Sequence, residues 1–177
     1  VMLFSLCAGL AYYGGYQTLV QQPVLDRCGQ EAGFSATVAD YGQLTERGAK
    51  VTVYLDGRRG AKAVCYGDAS LAALEPGQRL TGRAKWQDAG RIHENDVTTF
   101  TSRGVFALLY VQGDAAVEQG SAGSLRWLPQ RTARAMRERI AAIWDDGTTA
   151  AFVTAELTGD RSGLSVEDET VMSQAGL

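Results

Sequence analysis

The chain has 177 residues, three cysteines, one histidine and a formal net charge of −3. This length allows one ordinary domain with additional elements and a hydrophobic core. The small negative charge excludes a polybasic nucleic-acid-binding protein. The charge is unevenly distributed: residues 34–112 hold ten Lys/Arg against eight Asp/Glu, a net of +2, and residues 113–177 hold six against ten, a net of −4. A mildly basic face on the middle segment is compatible with these numbers.

The N-terminal segment, Val1 to Val20, is mostly apolar and contains no charged residue. A helix that spans a bilayer needs about 20 such residues, and tyrosines, here a cluster over residues 12–16, are typical of the bilayer interface. A signal peptide and a buried helix of a soluble protein are the alternatives, although the segment lacks the basic start and the cleavage pattern of a signal peptide. We interpret residues 1–22 as an apolar, transmembrane-like helix.

The middle segment, residues 34–112, changes to the two-residue periodicity of β-strands. Five short strands over this length indicate a small closed barrel, because a sandwich usually needs seven or more. The fold class that we predict is mainly β, an OB-like barrel of five strands flanked by the N-terminal helix and by C-terminal helices. The predicted strands are Phe34–Asp40, Lys50–Asp56, Lys62–Tyr66, Arg79–Trp86 and Gly104–Val111.

Turn signals and alternation fix the expected arrangement of these strands. Asp56-Gly57 predicts a hairpin turn, and residues 75–78, Glu-Pro-Gly-Gln, fit a type II turn. Alternation predicts which side chains face the barrel interior. The inward residues would be Val51, Val53, Leu55, Leu80, Ala84 and Val105.

The pattern of the C-terminal third predicts a linker over residues 113–128 and a helical segment over residues 129–177. Pro129 suits the first turn of a helix, and four apolar residues then share one helical stripe. The arginines on the rest of that helix are typical either of a membrane-surface helix or of an ordinary solvated helix that packs on a neighbour. A second helix is predicted over Thr149–Thr158. The stripe consists of Met136, Ile140, Ile143 and Trp144.

Catalytic chemistry has little support in the sequence. His93 stands in a polar loop between two strands, and its spacing from other ligand types matches no zinc signature. No Cys-x-x-Cys pair, nucleophile elbow or phosphate-binding loop occurs. We therefore predict a protein without enzymatic activity, cofactor or metal.

The sequence instead favours binding of nucleic acid. Alternation through the Arg79–Trp86 strand places Arg79, Arg83 and Lys85 on one face, and Tyr54 and Tyr66 are candidate stacking platforms. OB-folds bind single strands by combining cations with such platforms. Any solvent-facing strand also shows alternating cations, so a purely structural interpretation of this face stays open.

The cysteines allow two interpretations. Cys7 lies in the apolar segment and fits a small buried side chain. Cys28 and Cys65 flank the first part of the middle domain, and either a disulfide or two free thiols fits their positions.

Several short motifs occur in a particular order along the chain. They are Tyr66-Gly67, the turn from Leu74 to Gly77, the segment from Ser102 to Val105, and the stretch from Leu157 to Ser165, which leads to Ala175-Gly176-Leu177 at the end. In that last stretch Gly159 can end a helix in the left-handed conformation, and Ser165 with Asp168 can cap the next one. In this order the motifs resemble the N-terminal part of the ComEC family, the DNA-uptake proteins of bacterial competence.

The resemblance implies that the chain is the N-terminal portion of a longer membrane channel protein for uptake of transforming single-stranded DNA. The barrel would lie outside the cytoplasm at the cell membrane, contact the DNA, and contain a disulfide between Cys28 and Cys65. Because only two or three phosphate contacts are expected, we predict that the DNA binding is weak. Its partners would be single-stranded DNA, the lipid bilayer, and the channel and C-terminal domains of the same protein. The alternative is a structural or interaction OB-module of a membrane protein, without a nucleic-acid role.

Overall fold

The computed structural model describes residues 2–57, 60–92, 95–118, 120, 124–144, 146–159, 163–165, 168 and 170–171. The chain divides into two compact units, Val1–Ser124 and Leu125–Leu177. The first contains the N-terminal helix and the barrel, and the second contains the C-terminal helices.

The N-terminal segment is helical, as predicted. Helix α1 (Met2–Tyr16) continues through one π-helical turn (Gln17–Gln21) into the short helix α2 (Gln22–Leu25). Val20 in the π-helical turn and Val24 in α2 pack into the barrel core. Among the described residues, we find no helix with the length and apolarity that a membrane crossing requires. Large apolar side chains nevertheless lie exposed along the segment, at Phe4, Leu6, Leu10, Tyr12, Tyr13 and Leu19.

Five strands form a closed, mixed barrel, which confirms the predicted OB-like fold. The strands are β1 (Glu31–Val38), β3 (Gly48–Leu55), β4 (Lys62–Gly67), β5 (Arg79–Asp88) and β8 (Val105–Glu118). They follow the order β1-β5-β8-β4-β3, and β1 also pairs with β3, which closes the barrel. The β4–β8 pairing is parallel and the others are antiparallel.

Shorter elements complete the first unit. Strand β2 (Gln43–Thr45) extends the sheet beside β3, and β6 (Arg91–Ile92) pairs with β7 (Asn95–Asp96). Two 3₁₀ turns, Ala69–Ala73 and Thr101–Arg103, precede β5 and β8. Strand β8 continues to Glu118, so the first part of the predicted linker is strand.

The barrel interior contains the main hydrophobic core. Of the six residues predicted to face inward, five are buried in this core: Val51, Val53, Leu55, Leu80 and Ala84.

Val105 is the exception, because it is buried in a second, smaller cluster with Val64, Ala89 and Leu108. Val105 pairs with Lys62, at an irregularity in the β4–β8 ladder, and therefore lies on the outer face of the barrel. Ile92 and Phe100 pack on this cluster from the β5–β8 connection.

The predicted type II turn is present. Gly77 has φ +94°, a backbone conformation that suits glycine, and the Gln78 N–H donates to the Glu75 carbonyl at 3.2 Å. The Asp56-Gly57 turn likewise places Gly57 at φ +71°.

The second unit contains α3 (Leu128–Ile143) and α4 (Gly147–Thr158), preceded by a 3₁₀ turn (Leu125–Trp127). Pro129 lies in the first turn of α3. Of the predicted stripe, Ile140 is buried, while Met136, Ile143 and Trp144 are exposed.

The caps predicted after α4 are also present. Gly159 ends α4 at φ +72° and donates its N–H to the Ala155 carbonyl at 2.9 Å. Ser165 and Asp168 form the reciprocal cap: the Ser165 N–H donates to Asp168 Oδ2 at 3.2 Å, and the Asp168 N–H donates to Ser165 Oγ at 3.1 Å. The terminal motif Ala175-Gly176-Leu177 lies outside the described residues.

Candidate nucleic-acid interface

A row of outward-facing side chains crosses the barrel at one level. Successive members are paired in the strand register. In the antiparallel pairs of this row, such as Glu31 with Lys85, opposed residues have Cβ atoms about 4.5–5.5 Å apart. We call these residues the tyrosine row; in spatial order they are Glu31, Lys85, Tyr110, Tyr66 and Lys50.

The two tyrosines at the centre of the row stack on each other. Their ring centroids are 5.4 Å apart and their planes differ by 17°. Tyr66 is half-buried and packs on the second cluster. This burial, together with the neighbouring Tyr110, raises the pKa of Tyr66, so the phenol keeps its proton at physiological pH. Tyr110 is 40% exposed and therefore presents the more accessible ring.

A groove of about 760 Å³ lies beside this aromatic pair. One wall is formed by the two tyrosines, and another by the turn between β2 and β3. The remaining lining residues include Ala49, Gly67, Asp68 and Val111. The groove thus combines an aromatic wall, small apolar side chains and a few charged groups, which is the usual composition of a ligand pocket.

The structure divides the residues predicted to bind DNA between different places. Lys85 and Tyr66 belong to the tyrosine row, where Tyr110 lies between them. Arg83 is exposed and pairs with Gly33 and Gln112, away from both predicted platforms.

Tyr54 lies in another part of the outer face. It opposes Thr37 on β1 and Lys62 on β4, and the Lys62 ammonium is 5.9 Å from its ring centroid. Tyr54 and Tyr66 are separated by four residues along the paired strands, or about 13 Å. The five predicted residues therefore do not form one continuous site.

Arg79 is engaged in an ion pair. Its guanidinium lies 2.9 Å from the Asp56 carboxylate, which also accepts hydrogen bonds from Ser35 at 2.7 Å and Thr37 at 3.1 Å. Partial burial by itself would raise the pKa of Asp56, but these hydrogen bonds and the charge of Arg79 outweigh it and lower the pKa. Arg79 thus has a structural partner, and its charge is offset.

The structure contains Cys28 and Cys65 as free thiols, so the disulfide implied by the resemblance is not formed. Cys65 is fully buried in the barrel core, and Cys28 donates its S–H to the Val24 carbonyl at 3.6 Å. Burial raises the pKa of Cys65 to about 12. Burial, together with the charge of Asp88, raises the pKa of Cys28 to about 11. Both therefore remain protonated and weakly nucleophilic near neutral pH.

Metal ligands do not converge in the part of the chain that the structure describes: no group of three or more His, Cys, Asp or Glu is placed to hold an ion. His93 lies outside the described residues, so its location in a polar loop stays a prediction.

Tyr110 and Lys50 are members of the row that sequence reasoning did not identify. Both lie in predicted strands, and both alternate with inward-facing residues, which is the signal that marks them as outward. Their relation to Tyr66 depends on the β3–β4–β8 pairing, and the β4–β8 part joins strands that are distant in sequence.

Comparison with protein-family models gives no match for this chain, and comparison with curated proteins gives none either.

Proposed function

We propose that the barrel binds single-stranded DNA weakly across the tyrosine row. The observation that carries the proposal is the stacked Tyr66–Tyr110 pair with a lysine next to it on either side, Lys85 beyond Tyr110 and Lys50 beyond Tyr66. Stacking on aromatic rings combined with nearby cations is how single strands are bound without sequence readout. In OB-folds the face that binds oligonucleotides includes the second and third barrel strands, which are β3 and β4 here.

The same geometry supports weak binding. Two lysines of the row flank the aromatic pair, and Glu31 stands at one end of the row. Each phosphate contact contributes a slope of about −0.7 to the dependence of log K on log salt. Two contacts and one or two stacked bases suggest micromolar affinity or poorer at physiological salt.

The wider role that we propose is the N-terminal portion of a DNA-uptake channel protein, with the barrel outside the cytoplasm and without catalytic activity. The sequence resemblance to the ComEC family motivates this role. The exposed apolar surface of α1 is compatible with a membrane setting.

A structural or interaction module is the second candidate. The same apolar surface favours it, because Phe4, Leu10 and Tyr12 are suited to contact another protein segment. This candidate predicts no DNA binding by the barrel.

Fluorescence anisotropy with a labelled oligothymidine at two salt concentrations tests the proposal. The Lys50→Ala/Lys85→Ala variant should bind at least about tenfold more weakly than the wild type at low salt, and its salt slope should be shallower by about 1.4. The Lys62→Ala/Arg83→Ala variant is the matched control, since it removes two positive charges from the outer face but leaves the row intact.

The control variant should bind no more than about threefold more weakly than the wild type, because its lost charges contribute only to the long-range electrostatic field of the barrel. Equal losses of affinity in both variants would show non-specific charge attraction and contradict binding at the tyrosine row. Absence of binding by the wild type at low salt would leave the structural module as the better account.

A further inference from the structure

The groove beside the tyrosine row differs from the row in its charge. Among the described residues, the charged ones that line it are Glu46, Arg47 and Asp68, a net of −1. The row itself has two lysines and one glutamate, a net of +1. Phosphates of a bound strand are therefore favoured over the row and disfavoured in the groove, so the groove is the better place for an uncharged base.

The groove has the size and the wall that a base requires. Its volume of about 760 Å³ lies within the range of about 300–1,000 Å³ for small-molecule sites. A base that enters it would contact the ring of Tyr66 or Tyr110 on one side. The backbone of the strand would then lie along the row, near Lys50 and Lys85.

The carboxylate of Asp68 offers a hydrogen-bond acceptor at this groove. Asp68 accepts the Ser70 N–H at 3.3 Å through Oδ1, and the Ser70 hydroxyl donates to the same oxygen. Among the described residues, no donor contacts its other oxygen, Oδ2. An ionised carboxylate only accepts hydrogen bonds. Cytosine presents an exocyclic amino donor at the position where thymine presents a carbonyl acceptor.

We propose that this groove is a base-binding subsite that favours bases with an exocyclic amino group over thymine, through Asp68. The proposal rests on single-stranded DNA binding by the row, and it adds a base preference that the row alone does not provide. Stacking on tyrosine accepts any base, whereas a carboxylate acceptor favours a base that presents a hydrogen-bond donor.

Oligodeoxycytidine and oligothymidine of equal length provide the test. They carry the same backbone charge and similar stacking area, and differ in the donor or acceptor at this position. The wild-type chain should bind the cytidine oligomer about threefold to tenfold more tightly, since a hydrogen bond to an exposed charged group contributes at the low end of its range. Anisotropy at low salt measures both affinities.

Asp68→Asn is the informative variant. Asparagine is an equally good cap for the Ser70 turn, and its amide can donate to the thymine carbonyl, so the preference should disappear or reverse. Asp114→Asn makes the same charge change at an exposed position on β8 that does not line this groove, and it should leave the preference intact. Thermal unfolding verifies that both variants are folded.

The outcomes separate the two proposals. If neither oligomer binds, the proposed function fails. If both bind equally, or if Asp68→Asn raises both affinities without changing their ratio, the base-selective subsite is overturned while DNA binding by the row stands. Loss of the ratio in Asp68→Asn alone supports the subsite.

Discussion

Arg79 directs two nitrogens of its guanidinium at a single oxygen of Asp56: Nε lies 3.0 Å and Nη2 lies 2.9 Å from Oδ2. Asp56 follows the end of β3, and Arg79 begins β5. The hydroxyls of Ser35 and Thr37 on β1 donate to the same carboxylate. One carboxylate thus connects three strands of the barrel, and the arginine contributes to the fold at this point.

The first prediction concerns the stability that this carboxylate provides. Asp56→Asn keeps the shape of the side chain but removes its charge, so the ion pair and the charge-assisted hydrogen bonds are lost. Because the pair is partly exposed to solvent, we expect a decrease in the free energy of unfolding of about 1 kcal/mol near neutral pH. Urea unfolding followed by circular dichroism measures the difference.

The pH dependence of that difference gives a second readout. The folded-state pKa of Asp56 is lowered relative to an unfolded value of about 3.9. Its contribution is therefore complete above the unfolded pKa and is lost as the pH falls through the folded pKa. The gap between wild type and Asp56→Asn should close as acid protonates the folded-state carboxylate, at a pH below the unfolded pKa of about 3.9. A gap that persists there would contradict an electrostatic origin.

Local sequence patterns predicted the structural features that depend on residues close together along the chain. Alternation identified the strands and the inward faces of Val51 and Val53, and Pro76-Gly77 identified the turn. Contacts between distant strands were not available from such patterns. The Arg79–Asp56 pair and the stacking of Tyr66 on Tyr110 arise only when the barrel closes.

Val105 shows the same limit in the core. Its apolar side chain predicted burial correctly, but the side of the barrel on which it lies depends on the irregular register between β4 and β8. Alternation within one strand cannot reveal an irregularity in its pairing with another.

A further prediction concerns the close approach of two strands next to the groove. Gly48 has φ +139°, and a Cβ at this position would lie 2.1 Å from the Gly67 carbonyl oxygen. Gly48→Ala should therefore lower the free energy of unfolding by about 3 kcal/mol or more. Gly57→Ala is the matched control, because Gly57 also has a positive φ, +71°, but open space around its Cβ.

The free energy of unfolding of Gly57→Ala should fall by only about 1–2 kcal/mol, which is the cost of the left-handed backbone alone. Chemical denaturation of both variants provides the comparison. Similar losses in the two variants would mean that β3 shifts readily away from β4 at this point.

The thiols lead to a prediction about reactivity. In the native protein near neutral pH, a thiol reagent should label the exposed Cys7 first, while Cys28 and Cys65 should react only after unfolding because burial raises the pKa of both. Mass spectrometry of labelled peptides, without reductant, distinguishes the three sites. If neither Cys28 nor Cys65 reacts after unfolding until a reductant is added, the two form a disulfide in the isolated protein.

The last prediction separates the two aromatic positions of the outer face. Tyr110→Ala removes the more exposed ring of the stacked pair and should weaken binding of oligothymidine by about fivefold or more, since stacking contributes about 1–3 kcal/mol per base. Tyr110→Phe keeps the ring and should bind nearly as the wild type does. Tyr54→Ala removes a ring that lies outside the tyrosine row, beside Lys62, and should change the affinity by less than about twofold. A larger loss of affinity in Tyr54→Ala than in Tyr110→Ala would place the binding surface at the Tyr54–Lys62 part of the barrel. It would also contradict the assignment of Lys50 and Lys85 as the phosphate contacts.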